Sequence, residues 1–152
     1  MLFEVGVNTY MTVEEADSIM ADEFDTSEPE FVYWNTLDEI GKKRIILKGT
    51  RKVNTFVWVG TRYPGYQQMP WPRLIQYQYV DCPYTVKVGI LKQAIKDKLN
   101  DDKQESKLQE LGVKTYSIKG ASITFNDNVS QSKLTNGVYD EIYTECFERW
   151  VR

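Results

Sequence analysis

The order in which charge is laid along this 152-residue chain restricts its fold more than any other feature. From Met1 to Gly41 there are 11 acidic residues and no Lys or Arg. From Lys42 to Val80 there are 8 basic residues and no Asp or Glu, and from Asp81 to Arg152 there are 11 of each sign. The net charge of −3 conceals this segregation. Opposite blocks of such size favour complementary contact, because matched potentials steer association and set register. The contact lies either within one subunit or between neighbours.

A chain of this length supports one domain with a real core, burying roughly 70% of the surface its unfolded form exposes. With 41% hydrophobic and 13% aromatic residues it is neither disordered nor collagen-like. No apolar run approaches the roughly 20 residues that span a bilayer. The first residues carry acids and no basic segment ahead of an apolar stretch, so no secretory leader is expected.

Local patterns predict a mainly α fold. Thr12 and Glu15 form a capping box that opens a helix over about 13–24, with Val13, Ala16, Ile19 or Met20, and Phe24 at helical spacing. The turn residues from Asp25 to Pro29 end it. A second capping box, Thr36-Leu37-Asp38-Glu39, opens a helix over about 36–52. Its apolar side carries Leu37, Ile40, Ile46 or Leu47, Thr50 and Val53, and its basic face Arg44, Lys48, Arg51 and Lys52. Gly41 and Gly49 each weaken this helix by about 1 kcal/mol relative to Ala, so each marks close packing or a break.

The segment 55–83 is rich in Tyr, Trp, Pro, Gly and Gln, lacks helical periodicity, and is read as a long connection that meets something outside the subunit. Phe56-Val57-Trp58-Val59 is a candidate strand at its start. Pro83 precedes a third helix over about 84–99, followed by a charged, exposed stretch from Asn100 to Lys107. Alternation over about 113–125 predicts a β-hairpin arm. A last amphipathic helix covers about 138–151 and ends near Arg149 and Arg152, where positive charge suits the helix dipole. The expected architecture is a small four-helix bundle with a long ordered loop and a β-hairpin arm.

Catalytic chemistry has little to work with. There is no histidine, hence no side chain suited to proton transfer near neutral pH, and the two cysteines, Cys82 and Cys146, belong to no metal-binding cluster. Gly60 and Gly65 have P-loop spacing, but Tyr66 and Gln67 stand where Lys and Ser or Thr are required. The acidic runs at 22–25 and 101–102 lack EF-hand spacing. No enzyme, cofactor or metal site is expected.

Four pieces of sequence carry a resemblance. They are Tyr10-Met11-Thr12-Val13-Glu14-Glu15-Ala16-Asp17; Trp58-Val59-Gly60-Thr61-Arg62 with Gln67 and Trp71-Pro72-Arg73; Pro83 followed by Val86-Lys87 and Gln93-Ala94; and Ser122-Ile123-Thr124-Phe125. In order and spacing they resemble a family of tailed-phage proteins found among head-tail connector genes, often labelled DnaT-like single-stranded DNA-binding proteins. The resemblance implies a helical bundle with a β arm. It further implies a twelvefold ring in the virion neck, assembled in the host cytoplasm, bound to the portal protein and to a tail-side neck or stopper protein. Genomic DNA would pass through its lumen without sequence-specific binding.

On that reading the subunit and portal contacts fall on Arg51, Trp58, Arg62, Trp71, Arg73, Arg149, Trp150 and Arg152, since Trp and Arg are enriched at interface hot spots. Trp58, Trp71 and Trp150 have a core reading as well. Arg73 is placed to pair with the acidic first helix of its own or a neighbouring subunit. The alternative is a single-stranded nucleic-acid binder, with Lys48, Arg51, Lys52 and Arg62 on phosphates and Trp58, Tyr63, Tyr66 and Trp71 stacking on bases. Against it stand the pI of about 5.1 and the acidic first block.

Overall fold

The computed structural model describes residues 1–111 and 138–152. Its centre is one long helix. Thr12 caps α1 (Val13–Glu23) by accepting from the Glu15 amide at 3.1 Å. The Glu15 carboxylate does not complete the capping box; it accepts from Lys87 Nζ at 2.6 Å, a charge-assisted bond to a distant helix.

A helix absent from the sequence reading follows, α2 (Pro29–Thr36), with Pro29 in its first turn. Proline there loses no needed donor, which is why a segment rich in turn residues still starts a helix. Its anchor is Trp34, 1% exposed, whose Nε1 donates to Asp17 at 2.8 Å. Thr36 therefore ends α2 and caps nothing; its hydroxyl donates to the Tyr33 carbonyl. Asp38 caps α3 (Glu39–Val53) instead, accepting from the Gly41 amide at 2.7 Å. The buried side of α3 is Ile45, Ile46, Leu47, Gly49, Thr50 and Val53, while Ile40, expected to face inward, is exposed.

The long connection is not structureless. It holds β1 (Thr61–Arg62), β2 (Arg73–Ile75) and β3 (Gln78–Val80), an antiparallel sheet in the order β1-β2-β3. The run from Phe56 to Val59 is not one of its strands; Trp58 only bridges to Val151. The Val59 amide donates to the Trp150 carbonyl and the Arg152 amide to the Val57 carbonyl. These bonds fasten the last described residues onto the connection.

The third expected helix is α4 (Tyr84–Leu111), which runs well past the stop expected near 99. Charge and exposure did not terminate it, since residues such as Lys, Asp and Gln are compatible with helix and Lys98 and Asp102 pair one turn apart at 3.6 Å. Val86, Val88, Ile90, Leu91, Ala94 and Ile95 are all buried, because α1, α2, α3 and the last helical segment pack around this helix.

That last segment starts as α5 (Asp140–Ile142), widens into a π-helical turn (Tyr143–Phe147) and tightens into a 3₁₀ turn (Glu148–Trp150). It is helical where expected but not one regular α-helix. The mainly α class holds; a bundle of four helices does not describe it, given α2 and the embedded sheet. The hairpin expected over about 113–125 lies outside the described residues.

An aromatic seam joins the connection to the last segment. Ring centroids of Trp150 and Trp71 are 5.9 Å apart, Trp71 and Trp58 5.5 Å, Trp58 and Phe56 5.5 Å, and Phe56 and Phe147 5.4 Å, all edge to face. Each such pair contributes about 0.5–1.5 kcal/mol beyond its buried area.

Cys146 is buried beside this seam, and burial pushes its thiol up to about 11, partly offset by Lys92. The unfolded thiol ionises near 9, so the stability gained by keeping it neutral is complete below that pH and lost as pH rises from 9 through 11. We expect an alkylating reagent at pH 8 to leave Cys146 unmodified in the native chain and to modify it once urea unfolds the protein. Rapid modification without urea would show that the seam does not close over it.

Candidate nucleic-acid interface

Ion pairing sorts the six cations of α3 into two groups. Lys42 binds Asp17 at 2.8 Å, Lys43 binds Glu39 at 3.0 Å, and Lys52 binds Asp97 at 2.5 Å. Arg44, Lys48 and Arg51 pair with no carboxylate among the described residues. These three fall at positions i, i+4 and i+7, which is one helix face.

They line a surface groove of about 720 Å³ together with Lys98 from α4. Leu37 and Leu47 contribute apolar walls and Tyr33 of α2 an aromatic one; no Asp or Glu among the described residues lines it, though Lys98 pairs with Asp102 at 3.6 Å. Burial raises the Tyr33 phenol above its ordinary pKa, with Lys98 pulling the other way, so the ring carries a neutral hydroxyl near neutral pH. A neighbouring cleft of about 690 Å³ shares Ile45, Lys48 and Lys98 but also contains Asp97 and Asp101. Its mixed sign makes it a poorer seat for an anion.

Four carboxylates of the acidic first block form ion pairs among the described residues. Glu15 pairs with Lys87 and Glu23 with Lys92 on α4, while Asp17 and Glu39 reach the basic block, at Lys42 and Lys43. The first block thus meets the basic block and the mixed-sign segment in equal number among these pairs. Arg44, Lys48 and Arg51 are left without a carboxylate among the described residues, whereas Lys98 of the groove pairs with Asp102.

The residues expected at an interface or on nucleic acid do not form one site. Lys48 and Arg51 lie in the groove; Lys52 turns away to Asp97. Trp58 and Trp71 are core residues, 3% and 1% exposed, packed edge to face on each other. Arg73 does not reach the acidic helix. Its guanidinium is buried and donates to four backbone carbonyls, Val59 at 2.6 Å, Pro70 at 3.0 Å, Trp58 at 3.3 Å and Gly60 at 2.7 Å.

Trp150 is partly buried, edge-on to Trp71, and its Nε1 donates to Thr85. Arg149 covers the Trp150 ring at 4.9 Å, and Arg152 is exposed. Arg62, Tyr63 and Tyr66 are exposed on the sheet unit, with Arg62 donating only a long bond, 3.4 Å, to the Gln67 carbonyl. Sequence reasoning missed Tyr33 and Lys98. Nothing local marks them; Tyr33 sits between the two expected helices, in a stretch assigned no element, and Lys98 is one of several lysines on α4.

Fold and site together define a mainly α protein with a predominantly cationic groove along α3. A family model described as "Putative DnaT-like ssDNA binding protein" matches residues 3–145, and the chain belongs to that family. No curated protein and no solved structure matches it.

Proposed function

We propose that this protein binds single-stranded nucleic acid in the α3 groove, with Arg44, Lys48, Arg51 and Lys98 on phosphates and Tyr33 against a base. The family's description supports this reading. The observation that carries it is that the three α3 cations without a carboxylate are the three that line the groove. A single strand suits the site better than a duplex, whose stacked bases could not reach the Tyr33 wall. No bond is made or broken in this role.

Because the whole chain is acidic, attraction to the strand rests on these few cations and falls steeply with salt. The double variant Lys48→Glu with Arg51→Glu is expected to bind a labelled oligodeoxythymidine at least about tenfold more weakly at low salt. The slope of log K against log salt should fall by about 1.4, the value for two lost phosphate contacts on a single strand. Both side chains are exposed, so the fold should be retained. Fluorescence anisotropy across a salt series checks this; equal affinity and slope in the variant, or no binding by the wild type at low salt, defeats the reading.

A second reading is a structural subunit of a phage neck, forming a ring on the portal. It is supported by Asp22, Asp25, Glu28 and Glu30, which form no ion pair among the described residues and would complement the groove of a neighbouring copy. Mass measurements over a concentration series separate the two. Self-association abolished by the same double variant favours the ring, and a monomer at every concentration counts against it.

A further inference from the structure

We propose that the small sheet carries a second contact for the same strand, a stacking platform for unpaired bases built from Tyr63, Tyr77 and Tyr79. This rests on the nucleic-acid reading of the α3 groove, and adds to it a surface that reads bases where the groove holds phosphates.

The register decides which side chains face out. Arg62, Arg73 and Val80 are aligned across the three strands, as are Thr61, Leu74 and Tyr79. Cross-strand partners share a face, so the buried Arg73 guanidinium marks the inner one and Tyr79 stands on the outer. Tyr63, two residues beyond Thr61, shares the outer side; its ring meets Tyr79 edge to face at 6.0 Å. Tyr63 and Tyr79 are 50% and 55% exposed, and Tyr77 at the β2–β3 turn is 97% exposed.

The turn is costly. Gln76 and Tyr77 have φ of 50° and 66°, the left-handed region in which Asn-Gly is favoured and a bulky residue is strained. Tyr77 recovers none of this by burial. Strain of this kind persists where the surroundings impose it, and it clusters where a side chain is being presented to a ligand. The surroundings here are rigid: Arg73 binds four carbonyls, and Gln67 Nε2 donates to the Met69 and Pro72 carbonyls at 2.9 and 2.6 Å.

The chemistry of the surface selects the partner. Every large apolar side chain strongly exposed between residues 61 and 80 is a tyrosine: Tyr63, Tyr66, Tyr77 and Tyr79. Aliphatic groups, which would mark a protein-docking patch, are missing from that set, whereas a flat ring stacks on any base. Tyr10 donates to Asn54, the C-cap of α3, at 2.6 Å.

The test compares a labelled oligodeoxythymidine of about 20 nucleotides with an abasic strand of the same length, both titrated with the full chain. The wild type should prefer the strand with bases. Tyr77→Ala with Tyr79→Ala should weaken binding to it by about tenfold or more, leaving the abasic affinity and the salt slope unchanged; Tyr77→Phe with Tyr79→Phe should retain it. Lys48→Glu with Arg51→Glu should weaken both strands alike. Thermal melts by circular dichroism verify that the variants fold. Equal wild-type affinity for the two strands, or an alanine variant that binds oligodeoxythymidine like the wild type, overturns the platform while the groove stands. Loss of self-association in that variant with unchanged strand affinity reassigns the tyrosines to protein docking and also overturns it. Failure of the wild type to bind either strand removes the groove reading itself, and the platform with it.

Discussion

Arg73→Met should destabilise the folded chain by about 3 kcal/mol or more, because several buried carbonyls lose their shared donor at once. The guanidinium is 8% exposed and is the shared donor for the carbonyls of Trp58, Val59, Gly60 and Pro70. Methionine fills similar space but leaves those acceptors facing a dry interior, each at a desolvation cost of about 1–3 kcal/mol less whatever water reaches it. In a chain of this size the melting temperature should fall by on the order of 10 °C. Lysine should not restore it, because a point charge on a flexible stem cannot reproduce the forked geometry. Thermal melts of the three proteins decide this, and a methionine variant as stable as the wild type would mean that the carbonyl cluster is not dry. Gly60 belongs to the same knot: it sits at φ +74°, and a Cβ there would lie 2.3 Å from the Leu74 carbonyl oxygen.

The second large effect is expected at Gly49→Val. A Cβ at Gly49 would come within 2.6 Å of the Ile90 carbonyl oxygen and 2.7 Å of its Cγ2, so α3 and α4 would have to separate. Backbone cannot rotate out of the way as a surface side chain does, and overpacking of this kind costs about 3 kcal/mol or more. The variant's urea midpoint should drop by 1 M or more at an m-value of about 2–3 kcal/mol/M, and the α3 groove should lose affinity with it, since Lys98 reaches the groove from α4. An unchanged midpoint would show that the helices pack further apart than described.

Much of the helical framework was legible locally. Thr12 starts α1, Pro83 precedes α4, and Gly49 marks close packing, because caps, proline geometry and the absence of a Cβ act within a few residues. The failures share a different cause. Helix α2 depends on Trp34 finding Asp17 and a buried pocket. The sheet depends on Arg73 gathering carbonyls from residues up to 15 positions away. Trp58 and Trp71 looked equally suited to a partner and to the core until their rings were seen to pack on each other.

By itself, the sequence determined the mainly α class, the non-helical middle and the segregation of charge into blocks. It also placed Lys48 and Arg51 on an exposed basic face. Only the tertiary structure decided which cations remain unpaired, because an ion pair depends on which carboxylate the fold brings within about 4 Å, and two of the three carboxylates that pair with α3 come from other helices. Lys52 is claimed by Asp97 and Lys42 by Asp17, whereas Arg44, Lys48 and Arg51 face the groove with no carboxylate paired to them among the described residues.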